Sequence, residues 1–500
     1  MAGRYVVGID GGTESLRAGV FDLTGRPLAF AAAPYETRFP EPGRAEQDPR
    51  DWWRAIGIAV RRAVAEAGVA PADIAALAVD TTCCSVVALD AAGEPVRPAL
   101  IWMDVRAVAE TRAVVATGDP ALIVNSGGAG PVSAEWMIPK ALWLARNEPA
   151  AFAAAATIGE YQDYLNLHLT GRRVASVNNV SVRWHHRMDA GGRPLTLLKA
   201  LGIEELAEKW PSEILRLGEV VGGLTARAAE HLGLPPGLPV AQGGADAFIA
   251  MIGLGVVRPG RMAFITGSSH LHLGLTAEPF HGRGIWGTYA GALLPGLHTV
   301  EGGQTSTGSV VSWMRRLFGG TVSYAELDRE AAAVPPGSDG LVVQDHFQGN
   351  RTPHTDPLSR GAVLGLSLKH GRGHVFRATL EGIAFGTELI LETMRGAGYR
   401  PEEVVICGGA TRSDLWLQIH ADVSNLPLTL TRVTDAPALG SAILAAVAAG
   451  EFATIEEAAG AMVAVERRIE PSASAHSAYR APYEAYKRAY GALAEVVRPQ

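Results

Sequence analysis

YVVGIDGGTESLRAGVFD, residues 5–22, decides the fold. Tyr5 to Asp10 is apolar and β-rich, Gly11-Gly12-Thr13 is a turn, and Leu16 to Phe21 is a returning strand. Thr24-Gly25-Arg26-Pro27 then turns the chain into a third strand. In the first turn the glycines let backbone N–H groups approach an anion, and Thr13 and Ser15 add hydroxyl donors. Asp10, at a strand end, is suited to hold Mg²⁺ directly or through water. By itself an Asp-Gly-Gly turn is equally what an ordinary hairpin requires, its glycines supplying only positive φ.

Outward from this hairpin, a helix opens near Asp48-Pro49 and carries a core-facing stripe at Trp53, Ile56, Val60 and Val64. Ala75 to Val79 and Ser85 to Leu89 read as a strand pair framing Asp80-Thr81-Thr82-Cys83-Cys84. The second half restarts the plan: Arg261 to Ile265 is a strand, Thr266-Gly267-Ser268-Ser269 a small-residue turn, and His270 to Leu275 a returning strand. Two such turns in equivalent places predict a duplicated fold that holds a nucleotide's phosphates from both sides. A third glycine turn, Gly408-Gly409-Ala410, follows the strand Val404 to Cys407 and precedes a helix capped by Ser413. It has the shape expected where backbone lies close to an adenosine. His374 to Met394 reads as a long helix with Gly382 and Gly386 on one face, and Ser477 to Val497, with tyrosines at helical spacing, as a packing helix.

A chain of 500 residues exceeds what one hydrophobic core serves, which predicts two large domains meeting at a cleft. A net charge of −7 without a basic run argues against nucleic acid as a partner. The longest apolar stretch, Ala436 to Gly450, is shorter than a bilayer span, and with Pro437, Gly440 and Ser441 inside it reads as a buried strand-to-helix passage, not a membrane segment. No leader pattern precedes the first strand, and three cysteines, Cys83, Cys84 and Cys407, fit a reducing compartment; the expectation is a cytoplasmic protein, with a homo-oligomer left open.

The sequence resembles the FGGY carbohydrate kinases of the actin-like ATPase superfamily from about Tyr5 to Gly450. The matching blocks are GIDGGTESLRAGVFD, IWMDVRA (101–107), DYLNLHLTG (163–171), GGADAF (243–248), TGSSH (266–270), GNRTPHTDPLSRG (349–361), LEGIAFG (380–386) and CGGATRSDLWLQIHAD (407–422). The resemblance implies an α/β protein of two actin-like (ribonuclease H-like) domains, residues 1–252 and 253–500, each a mixed β-sheet flanked by helices, with the active site in the interdomain cleft. It implies transfer of a phosphate from ATP, with Mg²⁺, to a sugar hydroxyl. ATP is expected on Gly12, Thr13, Ser15, Arg17, Thr266, Gly267, Ser268, Gly303, Gly408, Gly409, Ala410 and Ser413.

Phosphoryl transfer needs an aligned hydroxyl, a base for its proton and positive charge on the phosphoryl oxygens. The resemblance places the base at Asp246, although an Asp after Gly-Gly is also a natural helix N-cap. It places the sugar on Thr82, Cys84, Asp104, Glu135, Trp136 and Asp246. Buried Asp104, Arg106 and Asp163 could equally pair for structure, Trp136 could be core, Glu135 a surface ion pair, and His270 and His272 core or rim residues. D-Xylulose kinases carry Gln-Met-His where this chain has Thr82-Cys83-Cys84, and the Arg-Glu pair of glycerol kinases is missing. GNRTPHTDP resembles the ribulose-kinase branch, so a ketopentose such as ribulose leads, ahead of xylulose and of polyols such as erythritol, ribitol or glycerol. From other classes, a non-catalytic sugar and ATP sensor and a plain ATPase are the alternatives, and the intact Asp246 and the paired turns argue against them.

Overall fold

Strand β1 (Tyr5–Gly11) pairs antiparallel with β2 (Ser15–Asp22), and β2 with β3 (Pro27–Pro34), as the glycine turns dictate. The computed structural model describes residues 4–124, 132–282 and 284–497. Helix α1 (Pro49–Ala67) starts on Asp48, whose carboxylate accepts from the Arg50 N–H, has proline in its first turn, and ends at Gly68 in the left-handed region with φ 67°. Trp52, not Trp53, is its core tryptophan, because the buried face runs Trp52, Ile56, Ala59, Val60 and Ala63; Trp53 stacks on His231 at the edge. The chain then returns as β4 (Ile74–Thr81), parallel to β1, with Asp10 opposite Asp80. Later β5 (Val220–Gly223) and β6 (Pro239–Ala241) complete a six-stranded sheet ordered β5-β6-β4-β1-β2-β3. Helix α2 (Val177–Arg183) lies between, and α3 (Asp246–Gly253) follows β6.

The expected pairing of Ser85 to Leu89 with Ala75 to Val79 does not occur. Val86–Leu89 joins a separate four-stranded sheet with Glu46–Gln47, Ala99–Leu100 and Thr157–Glu160. The cause is local: Cys84 adopts φ 63°, its N–H donates to Glu160, and the chain leaves β4 instead of folding back on it.

A second sheet of seven strands contains β7 (Arg261–Thr266), β8 (His270–Thr276), β9 (Gly287–Ala290), β10 (His298–Gln304), β11 (Glu403–Gly408), β12 (Leu428–Thr431) and β13 (Val465–Ile469), ordered β9-β10-β8-β7-β11-β12-β13. Its helices are α4 (Gly308–Leu317), α5 (Arg372–Gly396), α6 (Asp414–Ser424), α7 (Ala436–Ala448) and α8 (Ala473–Val497). The plan of the first sheet recurs. β7 pairs antiparallel with β8 and parallel with β11, β8 pairs antiparallel with β10, and β12 lies parallel beside β11 and leads into α7 as β6 leads into α3.

The equivalent helices α3 and α7 cross at the centre of the molecule. The stretch Ala436 to Gly450, read above as strand-to-helix, is helical from Ala436, capped by Asp435 and carrying Pro437 in its first turn. Gly440 and Ser441 do not break it: Gly440 lies at the crossing, which demands a small residue, and Ser441 donates to Asp80. A Cβ on Gly253 would lie 1.9 Å from the Ala436 carbonyl, one on Gly440 2.1 Å from that of Ile249, and one on Gly8 1.9 Å from that of Ala438. The largest apolar cluster is built around this crossing, with Phe248, Ile249, Leu439 and Ile443. Helix α8 packs its tyrosines on the second sheet's helices, the Tyr479 hydroxyl accepting from Arg377 and that of Tyr486 donating to Asp345. Among the described residues no helix is long and apolar enough to cross a membrane.

Candidate active site

Parallel strands β1, β4 and β6 end at the same edge of the first sheet, the edge where open α/β sheets hold ligands. There the Thr82 N–H donates to the Gly11 carbonyl and the Thr81 N–H to the Gly244 carbonyl, drawing three loops together. Gly243-Gly244 is needed for this approach: a Cβ at Gly243 would lie 1.9 Å from the Val79 carbonyl, and one at Gly244 2.9 Å from Asn178 Oδ1. Asp246 follows as the first residue of α3. The helix is not capped by it; Ala245 holds the cap position, and Asn178 supplies the acceptor for the Ala245 N–H at 3.0 Å. Asp246 Oδ1 accepts from the Ala247 N–H at 2.7 Å, and the carboxyl keeps part of its surface open. Burial pushes its pKa up to about 6, against the opposing pull of the Ala247 N–H and the Arg183 charge.

Asp246 belongs to a group of four carboxylates with Asp10, Asp80 and Asp435. Burial, with the charges of Asp435 and Asp246, pushes Asp10 up to about 7. Asp80 is fully buried and held well above the carboxylate range by burial and by Asp10; one oxygen accepts from Ser441 at 2.7 Å and the other has no protein donor. The one cation that the site's own strands supply, Arg17, is ion-paired with Asp435. So many carboxylates with one paired cation is a donor set that a divalent cation relieves. Among the described residues no group of three or more His, Cys, Asp or Glu side chains forms a closed metal cage. Magnesium does not require one, since it keeps waters and takes one or two carboxylates together with phosphate oxygens.

The two glycine hairpins are anchored in the same way, through their carbonyls. In the first, the Gly12 carbonyl accepts from the Tyr35 hydroxyl and the Thr13 carbonyl from Gln47 at 2.6 Å. In a trans peptide the N–H points opposite to the C=O, so the Thr13 and Glu14 N–H groups face away from those anchors. In the second, the Ser268 carbonyl accepts from the Thr307 and Ser309 N–H groups at 2.9 and 3.2 Å, and the Gly267 carbonyl lies 3.4 Å from the Thr307 hydroxyl. The N–H groups of Ser268 and Ser269 are thereby turned outward, and Gly267 and Ser268 are exposed. The third turn adjoins the second, Gly408 standing opposite Thr266 in the parallel β7–β11 pair. Gly408 is obligatory there: its φ is 92° and a Cβ would lie 1.9 Å from the Thr266 carbonyl.

Not every residue expected at the nucleotide is free to reach it. The Thr266 hydroxyl donates to the Cys407 carbonyl at 2.6 Å and accepts from the Ala410 N–H at 3.0 Å, tying the second and third turns together. The Ser413 hydroxyl caps α6, accepting from the Trp416 N–H at 3.1 Å. Gly303 lies within β10 opposite Leu271, its backbone exchanging hydrogen bonds with Thr352. Gly12, Thr13, Ser15, Arg17, Gly267, Ser268, Gly408, Gly409 and Ala410 remain at the turns.

On the other side of Asp246, Thr82 bonds Ser85 through its hydroxyl at 3.0 Å, and Cys83 is half-buried beside it. Cys84 is locked, its carbonyl accepting from Lys140 Nζ at 2.8 Å. Trp136 is buried, with Trp286 edge-on at 5.8 Å, His185 tilted against it and the Arg183 guanidinium over its face; its indole N–H has no protein acceptor. Glu135 is half-buried. Asp104 is fully buried, accepting from the Ala45 N–H at 2.7 Å and gripping Arg106, so its oxygens brace the loop. Asp163 completes a capping box with the Glu160 N–H. His270 and His272 are core residues, His272 stacked on Phe264 and His270 edge-on to it.

Sequence reasoning passed over the contacts that join the halves. Arg183 in α2 makes a bidentate pair with Glu301 in β10, at 2.8 and 3.0 Å, and Tyr289 in β9 donates to the same carboxylate at 2.9 Å. Burial alone would raise Glu301, but Arg183 holds it below the ordinary carboxylate value. Asn178 bonds the Ala292 carbonyl at 3.0 Å. No local pattern marks these residues; Arg183 and Glu301 are 118 positions apart. Asp435 alone carried a signal, an Asp two residues before a Pro as at a helix start.

Residues 5–253 match the model for the FGGY family of carbohydrate kinases, N-terminal domain, and residues 262–449 the model for the C-terminal domain. The chain is 31% identical to the FGGY carbohydrate kinase domain-containing protein of Xenopus laevis, covering 96% of this chain and 95% of that protein. It is 31% identical to a ribulokinase of Shouchella clausii over 97% of this chain and 94% of the other. The crystal structure of xylulose kinase from Rhodospirillum rubrum superposes with a TM-score of 0.88 at 29% identity, covering 98% of this chain and 99% of that one.

Proposed function

The chain belongs to the FGGY family of carbohydrate kinases, and from that premise we propose that it phosphorylates a ketopentose, ribulose before others, with Asp246 as the base. That it is a phosphotransferase acting on an alcohol group, with a sugar and ATP as substrates, follows from the family. The observation that carries the finer reading is Asp246 itself. It is a part-open carboxyl with a pKa near 6, close to Asp10 at the first turn and to the Arg183 guanidinium that lies over Trp136.

In this reading the sugar lies against Trp136, with Glu135 and the Thr82–Cys84 loop at its hydroxyls, and Asp246 accepts the proton of the attacking hydroxyl as the O–P bond forms. The Thr13, Glu14, Ser268 and Ser269 N–H groups hold the phosphate chain from two sides and stabilise the charge that moves toward the leaving oxygen. Asp10, with Asp80 behind it, would hold Mg²⁺, which when bound neutralises phosphate charge. Arg17 and Asp435 keep the first turn registered against the second half.

Ribulose is favoured by a full-length ribulokinase relative and by the GNRTPHTDP block. Xylulose is the second reading, favoured by the likeness to the Rhodospirillum rubrum structure. A coupled ADP-release assay with Mg-ATP against D- and L-ribulose, D- and L-xylulose, ribitol, erythritol and glycerol separates them. Strong preference for a ribulose supports the proposal; preference for xylulose or a polyol overturns its substrate, and turnover that survives Asp246→Ala overturns its base.

A further inference from the structure

Cys83 and Cys84 are adjacent on the loop that leaves β4, and their sulfurs are 3.7 Å apart. Cys84 is held rigidly, with a left-handed φ of 63°, its N–H on Glu160 Oε2 at 3.0 Å and its carbonyl on Lys140. Cys83 is half-buried and packs against two apolar clusters, one containing Phe248 and Leu439 and the other Trp136 and Trp184. Neighbouring residues have Cα atoms about 3.8 Å apart, shorter than the roughly 4.4–6.8 Å that disulfides span, so an S–S bond here requires the backbone to move. A bridging atom does not. With bonds of about 2.3 Å to each sulfur and the roughly 100° angle of a pyramidal trivalent centre, two sulfurs stand about 3.5 Å apart, within a few tenths of an ångström of the spacing already present.

We propose that Cys83 and Cys84 form a chelating site for a thiophilic trivalent arsenical, and that its occupation closes the sugar side of the cleft while leaving the nucleotide side open. The second half of this proposal rests on reading residues 82–84 as the sugar loop. With an organoarsine oxide, two As–S bonds form, the arsenic–oxygen bond breaks, and the oxygen leaves as water with the two thiol protons; arsenic remains trivalent and nothing is oxidised. Burial and the neighbouring Cys83 push the Cys84 thiol well up. A neutral electrophile that carries the protons away as water suits such a pair better than a divalent cation, which needs two thiolates.

The test uses the full chain and phenylarsine oxide, read by intact mass. The expected result is one adduct per chain, removed by 2,3-dimercaptopropanol but not by the same thiol concentration of 2-mercaptoethanol, lost in Cys83→Ser and in Cys84→Ser, and retained in Cys407→Ser. The adduct is expected to abolish sugar-dependent ADP release, to be slowed by the sugar that turns over, and to leave binding of a fluorescent ATP analogue unchanged. No adduct on the wild type, release by the monothiol, or an adduct that survives both single substitutions overturns the site. A chelated adduct that leaves sugar turnover intact overturns the sugar-loop reading alone, since the mass result stands without it.

Discussion

Replacing Arg183 by Met removes one half of an ion pair whose side chains are 8% and 1% exposed, and leaves Glu301 charged, buried and held by one remaining side-chain donor, Tyr289. Stranding a charge in that way costs about 3–5 kcal/mol, whereas replacing both partners by neutral groups of similar volume is close to neutral. Arg183→Met is therefore expected to lose about 3–5 kcal/mol at pH 8, and Arg183→Met/Glu301→Gln to regain most of it. The sign with pH is opposite to that of the wild type. Native Glu301 has a depressed pKa, so its contribution is present at neutral pH and lost as pH falls through that depressed value. In the variant burial is opposed only by the Tyr289 hydroxyl and the Arg351 charge and raises the pKa, so the penalty shrinks as acid neutralises the carboxyl, by about 1.4 kcal/mol per pH unit below the new pKa until the ordinary carboxylate range is reached. Urea titrations at pH 8 and pH 6 measure this, followed by tryptophan emission, because Trp136 and Trp286 meet beside Arg183. A cost under about 1 kcal/mol at pH 8, or a double variant as unstable as the single, would refute a desolvated pair.

Asp246→Asn is expected to lower kcat by about 10²–10⁴-fold, with an unchanged unfolding midpoint. In the wild type, kcat/KM for the sugar should fall about tenfold per pH unit below about 6, because the base must be unprotonated; a flat profile from pH 5 to 8 contradicts the assignment. Arg183→Met should move that acid limb to higher pH, since the guanidinium lowers the pKa of Asp246. Gly253→Ala drives a methyl into the Ala436 carbonyl and is expected to cost about 1–3 kcal/mol in urea unfolding; a neutral result would mean that the helix crossing is looser than described. Ser413→Ala should cost about 1 kcal/mol as a lost cap while leaving KM for ATP unchanged; a large rise in KM would return Ser413 to the nucleotide.

What could be read from the sequence was what is local. The glycine turns, the Asp48-Pro49 helix start and the strand ending in Gly408 each satisfy a backbone requirement within a few residues, and each forms where the pattern indicates. Readings failed where a distant partner decided. Ser85 to Leu89 has strand composition but takes its neighbours from Thr157–Glu160, because Glu160 captures the Cys84 N–H. Gly440 and Ser441 look like breakers, yet Gly440 answers a helix about 190 residues away in sequence and Ser441 the carboxylate of Asp80. Thr266 and Ser413 have the residue types of phosphate donors, and only the hydrogen-bond partners show their hydroxyls already engaged.

The same distinction explains why the site's electrostatics were hidden. Asp10 and Asp80 are brought together by the parallel pairing of β1 with β4, Asp246 by the close approach of Gly243 to Val79, and Asp435 by the crossing of α7 over β1. Each step is set by sterics, and each adds a carboxylate to a volume that holds one paired arginine. The raised pKa of Asp10 follows from burial and from that assembly, and that of Asp246 from burial. A cation and a nucleotide entering between the two turns would change the charge around Asp246 when both halves are in contact. Coupling of that carboxyl to nucleotide binding would then need no dedicated switch residue: the carboxylate group to which it belongs is built from both halves, and is complete only while α3 and α7 remain crossed.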